Sequence, residues 1–400
     1  MERKIMAVIM ALGLIVGLGS SIKSALAEEP TLEDRVKALE DKVSSIEISG
    51  SVDAYYSLNF AHPTQSTSIF GNQGLRAFDV QADSFTLSLA ELTIKKEASP
   101  IGFRVDLDFG PTADIVGSFE YGDAYECSTP TPDSTCNTTT GTEIFKNVLQ
   151  AYVTYVAPVG KGLTIDFGKF VTHIGQEVIQ SQGNWNYSRG ILFTWAIPFY
   201  HAGLRVNYPV TDKVSTTLLL VNGWNNVTDN NSSKSVGAQV VVNVSPKVTF
   251  IQNAIWGNES STGSSGYRRD VYDTIVSITP TDKLSLAVNG DYGRDAGPGA
   301  TGGSQSSWYG LAGYGRYAFT DAVAAALRAE WFRDPDGYST GTVQTLGEVT
   351  LTGEWKIAEA ILTRLEYRRD WSNATVGPFI NGSAPSDSQN TLELGVVYTF

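Results

Sequence analysis

The 400-residue chain is poor in the side chains that most chemistry needs. It has two cysteines and three histidines, and its 29 basic residues are outnumbered by 42 acidic ones, for a net charge of −13. The basic shortfall argues against a nucleic-acid partner, because such binding leans on clustered Lys and Arg. His62, His173 and His201 are scattered, and neither His-x-x-x-His nor Gly-x-Ser-x-Gly occurs, so the usual metalloprotease and hydrolase patterns are missing. His201 is the best candidate for a catalytic base, but at a strand start it reads more simply as a rim residue. No enzyme is expected. Cys127 and Cys136 have no other ligands nearby and no Cys-x-x-Cys-His run, so neither a metal site nor covalent haem is read, and no cofactor is expected. In an exported protein this close pair is expected to form a disulfide.

Long apolar runs are scarce too. The single one, Ile5 to Gly19, follows Arg3 and Lys4 and leads to Ala25-Leu26-Ala27. A short apolar stretch behind basic residues, ending in a small-x-small site, reads as a cleaved secretory signal, residues 1–27; a retained anchor would need about 20 apolar residues. Cleavage there leaves 26 basic and 41 acidic residues, a net −15. With no later run of that length, the mature chain is either soluble in the periplasm or a membrane β-barrel.

The residues themselves choose the barrel. Thr391 to Phe400 alternates, with Leu392, Leu394, Val396, Tyr398 and Phe400 on one face and Thr391, Glu393, Gly395, Val397 and Thr399 on the other. A chain that stops on an aromatic at the end of such a strand has nothing further to cover the apolar face except lipid. A sheet in hydrocarbon cannot leave an edge, so this strand must pair with the first candidate, Ile46 to Phe60. Between them, alternating segments are joined by connections of two kinds. Short ones carry turn residues, such as Pro209 to Lys213, Pro280 to Lys283 and Thr320-Asp321. Long ones fall near 61–83, 110–146, 171–199, 224–234, 258–269, 294–306, 333–344 and 371–390, strictly alternating with the short. Tight periplasmic turns and long extracellular loops predict an all-β, transmembrane antiparallel β-barrel of about 16 strands over residues 46–400. Before it, Leu32, Val36, Leu39, Val43 and Ile46 repeat at heptad spacing in residues 28–45. That is either a short periplasmic helix forming a coiled coil that aids trimerisation or an amphipathic linker.

Parity assigns the faces. Phe103, Val105, Leu107 and Phe109 should meet lipid, as should Leu327, Trp331, Leu365 and Tyr367. The inner wall should present Asp53, Arg104, Asp106, Asp108, Asp166, Arg205, Asp273, Asp291, Arg316, Arg328, Glu330, Glu348, Glu354, Arg364, Glu366, Arg368 and Glu393. A lipid-facing Arg or Lys costs about 2 to 4 kcal/mol at the bilayer midplane, so the interior must be wet. Irregularities are expected near Glu91 and Lys169. Tyr55, Tyr56, Tyr208, Tyr317, Tyr367 and Tyr398 suit interfacial girdles.

The third long connection is the most distinctive stretch. Gly168-Lys169-Phe170, Ile174-Gly175, Glu177, Asn184 to Arg189 (NWNYSR), Ala196 to Phe199 (AIPF) and Leu220 to Asn225 (LVNGWN) resemble the β-barrel porin group called OmpL-like. That resemblance implies an outer-membrane channel without an agreed substrate. It also makes Val171 to Phe199 the candidate for an external loop that folds inward and narrows the pore. Glu177 and Arg189 would then oppose one another across a constriction, with Gln176, Asn184 and Asn186 as neutral hydrogen-bonding groups. The alternative is an exposed loop packed on a trimer neighbour.

The reading is therefore a porin of the bacterial outer membrane, in contact with lipid, passing small hydrophilic solutes and ions, and forming a homotrimer. The acid excess on the wall predicts a weak cation preference. A structural or adhesive barrel, or a sheath for a partner protein, is the alternative.

Overall fold

The computed structural model describes residues 45–65, 71–118, 146–229, 231–259 and 267–400. The expected signal peptide, all but the end of the heptad segment, and the Cys127–Cys136 pair lie outside the described residues. The strands are β1 Glu47–Asn59, β2 Ser84–Lys96, β3 Ile101–Phe109, β4 Val148–Ala157, β5 Leu163–Val171, β6 Tyr200–Pro209, β7 Val214–Val221 and β8 Ser235–Ser245. They continue as β9 Val248–Asn258, β10 Arg268–Thr281, β11 Leu284–Asp295, β12 Ser306–Ala318, β13 Val323–Asp334, β14 Gln344–Ala358 and β15 Ile361–Ser372. A small hairpin, β16 Phe379–Asn381 and β17 Ala384–Ser386, precedes the last strand, β18 Ser388–Thr399. Helix α1 spans Pro111–Ser118 and α2 Ile191–Trp195.

All strands except the small hairpin form one closed antiparallel barrel in which each pairs with its neighbours in sequence and β18 pairs with both β15 and β1. Closure runs in register from Ser51 opposite Thr399 to Asn59 opposite Thr391. Gly50 and Phe400 finish it by exchanging both backbone hydrogen bonds at 3.1 Å. A Cβ at position 50 would strike the Glu91 carbonyl and the Phe400 ring, so the seam needs glycine there. With no edge left in the membrane-spanning region, the backbone is satisfied internally. At three short turns the hydroxyls of Thr211, Thr281 and Thr320 accept from the amides two and three residues on, at 3.0–3.4 Å, which fixes the reversal locally.

The two faces separate sharply. On β13, Leu327 and Trp331 are 48% and 45% exposed while Arg328 is 0% exposed. The irregularity near Glu91 is a bulge in the pairing of β1 with β2, where the register shifts between Asp53 and Ala54 and Leu89 turns inward. Near Lys169 the strand continues to Val171, with Gly168 at φ +143° and both Lys169 and Phe170 buried. Tyr55 departs from the expected girdle: it points into the barrel and its hydroxyl accepts from the Gln81 amide at 3.1 Å. Tyr317, Tyr367 and Tyr398 are 42–46% exposed on the outer face.

Candidate functional site: a loop folded into the lumen

The connection between β5 and β6, residues 172–199, lies inside the barrel. Its composition explains why. Ile174, Ile179, Ile191, Leu192, Phe193, Ala196, Ile197 and Phe199 are all buried, and an outer loop held in water would expose them. They pack with Phe78 and Val80 of the first connection, Ile115 and Val116 of α1, and wall residues Phe170, Val271, Trp308 and Phe332. The rings of Phe78, Phe193 and Phe199 sit 5.4–5.9 Å apart at the centre of this cluster. The outer part of the lumen thus carries an apolar core of its own.

Polar anchors tie the loop to the opposite wall. Arg328 donates Nη1 to Glu177 Oε1 and to the Ser188 carbonyl, each at 2.6 Å, and Nε to Glu348 at 2.8 Å. Arg364 reaches the carbonyls of Ser181 at 2.6 Å and Asn184 at 2.5 Å while pairing with Glu354 at 2.8 Å. Arg368 donates to the Arg189 carbonyl at 2.6 Å. The acids serve too: Glu366 accepts the amides of Tyr187 at 2.6 Å and Ser188 at 3.0 Å, and Asp53 accepts the hydroxyls of Ser181 at 2.5 Å and Tyr187 at 2.6 Å. Glu330 accepts the Ile191 amide at the start of α2. Such charge-assisted bonds in a dry setting are the strong kind. Tyr187 also lies over Gly395, where any side chain would collide with its ring. Burial raises the Tyr187 hydroxyl well above its ordinary pKa, with the Asp53 charge adding to the shift.

The five constriction candidates are therefore placed as follows. Asn186 donates to Thr352 at 2.7 Å, and Asn184 clips the loop to itself through both backbone groups of Val178, at 2.9 and 2.8 Å. Gln176 is half-buried, with its amide on Asn289 at 3.1 Å. Glu177 and Arg189 differ from expectation. Glu177 is neutralised by Arg328 and accepts the Gly190 amide at 2.6 Å. Arg189 lies 4.5 Å from the centre of the Phe78 ring and donates to the carbonyls of Ile179 and Tyr187. Both are buried, Glu177 against the wall and Arg189 against loop carbonyls and Phe78, instead of facing each other across a gap. The physical reason is desolvation: a charge carried into a filled lumen must find a partner there.

Every wall residue named from parity lies on an inward position, and most are buried; Arg104, Arg205 and Arg316 keep partly exposed side chains, at 37%, 21% and 27%. Sequence reasoning missed the first connection. Arg76 pairs with Asp79 and with Asp370 at 2.7 Å, which extends a ladder running Arg328, Glu348, Arg368, Asp370. Burial would lower the Arg76 pKa, but Asp370 and Asp79 raise it above the ordinary value. The Arg76-x-x-Asp79 spacing was the available signal. His173, on the loop, is pushed down to about 3 by burial and by neighbouring His201, so it is neutral at physiological pH. Its Nε2 meets the Ala254 carbonyl at 3.2 Å.

Against known proteins, residues 45–400 match the family model described as beta-barrel porin-2, OmpL-like. The chain belongs to this family. Its location is the bacterial outer membrane, and its barrel is of the porin type. Among solved structures it resembles an anion-selective porin from Comamonas acidovorans at TM-score 0.56 and 10% identity, covering 89% of this chain and 99% of that one. It also resembles OmpT of Vibrio cholerae at TM-score 0.53 and 11% identity, and the outer membrane channel DcaP of Acinetobacter baumannii at 0.51 and 12%, each covering 89% of this chain and 97% of the other. At these identities the likeness concerns the fold. No curated protein aligns with the chain.

Proposed function

We propose that this porin is a narrow passive channel for small hydrophilic solutes and ions, with its bore set by residues 172–199. One observation carries the reading: the loop is folded into the lumen and strapped to the wall through Arg328, Arg364, Arg368 and Glu366. In this position it narrows the lumen, so unitary conductance should be low. The test is planar-bilayer recording of the purified protein beside a variant lacking residues 176–190. The intact porin should give small, steady openings and the deletion variant larger ones. A barrel that conducts in neither form would instead be structural or adhesive, or the sheath of a partner.

The sign of selectivity follows from residues and not from shape, since a barrel of similar fold is anion-selective. Among the wall positions named from parity, eleven are acids and six are arginines, and the arginines at the loop are all engaged by acids or carbonyls. A weak cation preference follows, measured as a reversal potential in a salt gradient. The homotrimer is likewise a proposal, supported by the trimer form recorded for OmpT of Vibrio cholerae; crosslinking in native membranes tests it.

A further inference from the structure

Although the chain is acidic overall, its lipid-facing surface carries a basic arc. Arg268 on β10, Arg294 on β11, Arg333 on β13 and Arg369 on β15 are all exposed and occupy outward positions near the outer-loop ends of their strands. On three of these strands the arginine is the next outward residue beyond an exposed aromatic: Arg294 follows Tyr292, Arg333 follows Trp331 and Arg369 follows Tyr367. Two of those aromatics are linked through a third, with the Tyr292 and Tyr309 ring centres 6.5 Å apart and those of Tyr309 and Trp331 5.7 Å apart. Interfacial Trp and Tyr sit at headgroup level. Two residues further along a tilted strand rises roughly 5 Å, which puts the guanidinium groups in the phosphate layer.

Only one acid shares the outward strand positions of this arc. Asp270, itself 1% exposed, is held between Arg268 and Arg294, 2.5 Å from each, and so fixes both guanidiniums while leaving a surplus of positive charge. Among the described residues, Arg333 and Arg369 make only long contacts, 3.4 Å to Thr345 and to Asn390. Elsewhere on the rim, the exposed outward side chains at the outer ends of β1, β2, β3 and β7 are Phe60, Phe85, Phe109 and Leu220, and Lys234 just before β8 is paired with Asp229. Arg333 and Arg369 carry no acidic partner among the described residues, and Arg268 and Arg294 share a single carboxylate; guanidinium groups so spaced along one arc suit phosphate monoesters presented by a membrane surface.

We propose that the β10–β15 arc is a binding surface for the phosphorylated glycolipid of the outer leaflet, whose headgroup phosphates dock on Arg294, Arg333 and Arg369. The test uses the full-length barrel purified in zwitterionic detergent, with diphosphoryl lipid A as the probe. Dephosphorylated lipid A and phosphatidylglycerol serve as comparison arms. Retained lipid is compared for the wild type, for R333Q/R369Q, for R268Q/D270N/R294Q/R333Q/R369Q, and for K161Q/K247Q on the short periplasmic turns. Heat-dependent electrophoretic mobility verifies folding in every case. The wild type and the lysine variant should retain the diphosphoryl lipid at least about tenfold better than the quintuple variant, with R333Q/R369Q between them. Equal retention by the quintuple variant, or by the wild type for the dephosphorylated lipid, overturns the proposal. So does equal binding of phosphatidylglycerol, which would assign the arc to any anionic phospholipid. Loss of the oligomer with lipid retention unchanged would make the arc a contact between copies and overturn it too.

Discussion

Replacing Arg328 by Met should release one side of the inward loop. The guanidinium is fully buried and makes close contacts with Glu177, Ser188 and Glu348. Taking it away leaves Glu177 in a dry lumen with the Gly190 amide as its remaining donor, while Glu348 keeps Arg368 at 3.3 Å. Breaking a buried pair in this way typically costs about 3 to 5 kcal/mol, most of it the penalty of the stranded charge. The fold has sixteen paired strands to hold it, so the strain should be relieved where the chain is least restrained, by the loop moving toward water. Conductance in planar bilayers should then rise and become noisy, and the unfolding midpoint in urea should fall. Removing both charges, with Glu177→Met added, should recover stability, because no charge is left unpaired; the coupling between the two sites should be about 1 to 3 kcal/mol. Unchanged conductance and midpoint in Arg328→Met would refute the idea that this contact holds the loop. Strict additivity of the two substitutions would refute the direct pairing.

Four further outcomes are expected. Arg189→Gln should leave the reversal potential nearly unchanged, because the guanidinium is buried against Phe78 and loop carbonyls; a clear shift would show that this charge faces the ion path after all. Leu351→Arg, at an exposed lipid-facing position on β14, should destabilise the barrel by about 2 to 4 kcal/mol in a lipid bilayer, and no loss would contradict the assigned face. His173 should make the fold sensitive to mild acid. Its folded pKa lies below its unfolded value of 6.5, so the unfolded state binds more protons as pH falls and stability declines from pH 7 toward pH 5, by about 2 kcal/mol for this group. His173→Gln should remove that part of the decline, and an identical pH profile in the variant would show that the ring does not titrate as described. Thiol titration of the unfolded, unreduced protein should find Cys127 and Cys136 unreactive if they are bridged.

The barrel was legible before any coordinates because its information is local and repeated. A period of two puts every second side chain on the same face, and lipid on one side and water on the other penalise every error, so seventeen charged wall positions could be read by counting. The closing pair was readable for the same reason, since hydrocarbon tolerates no open edge. What parity cannot supply is the position of a segment without a period. Residues 172–199 were noted for their Asn and charges, while the decisive content was Ile191-Leu192-Phe193 and its meeting with Phe78 from a connection about a hundred residues earlier. That meeting depends on the curvature of the whole closed sheet, which brings the first and third connections into one cavity. Tyr55 turned inward and Glu177 became the partner of Arg328 for the same reason: their surroundings are assembled from strands far apart in the chain. The alternation of residues determined which side each strand turns to lipid. Only the closed tertiary structure decided what fills the space inside.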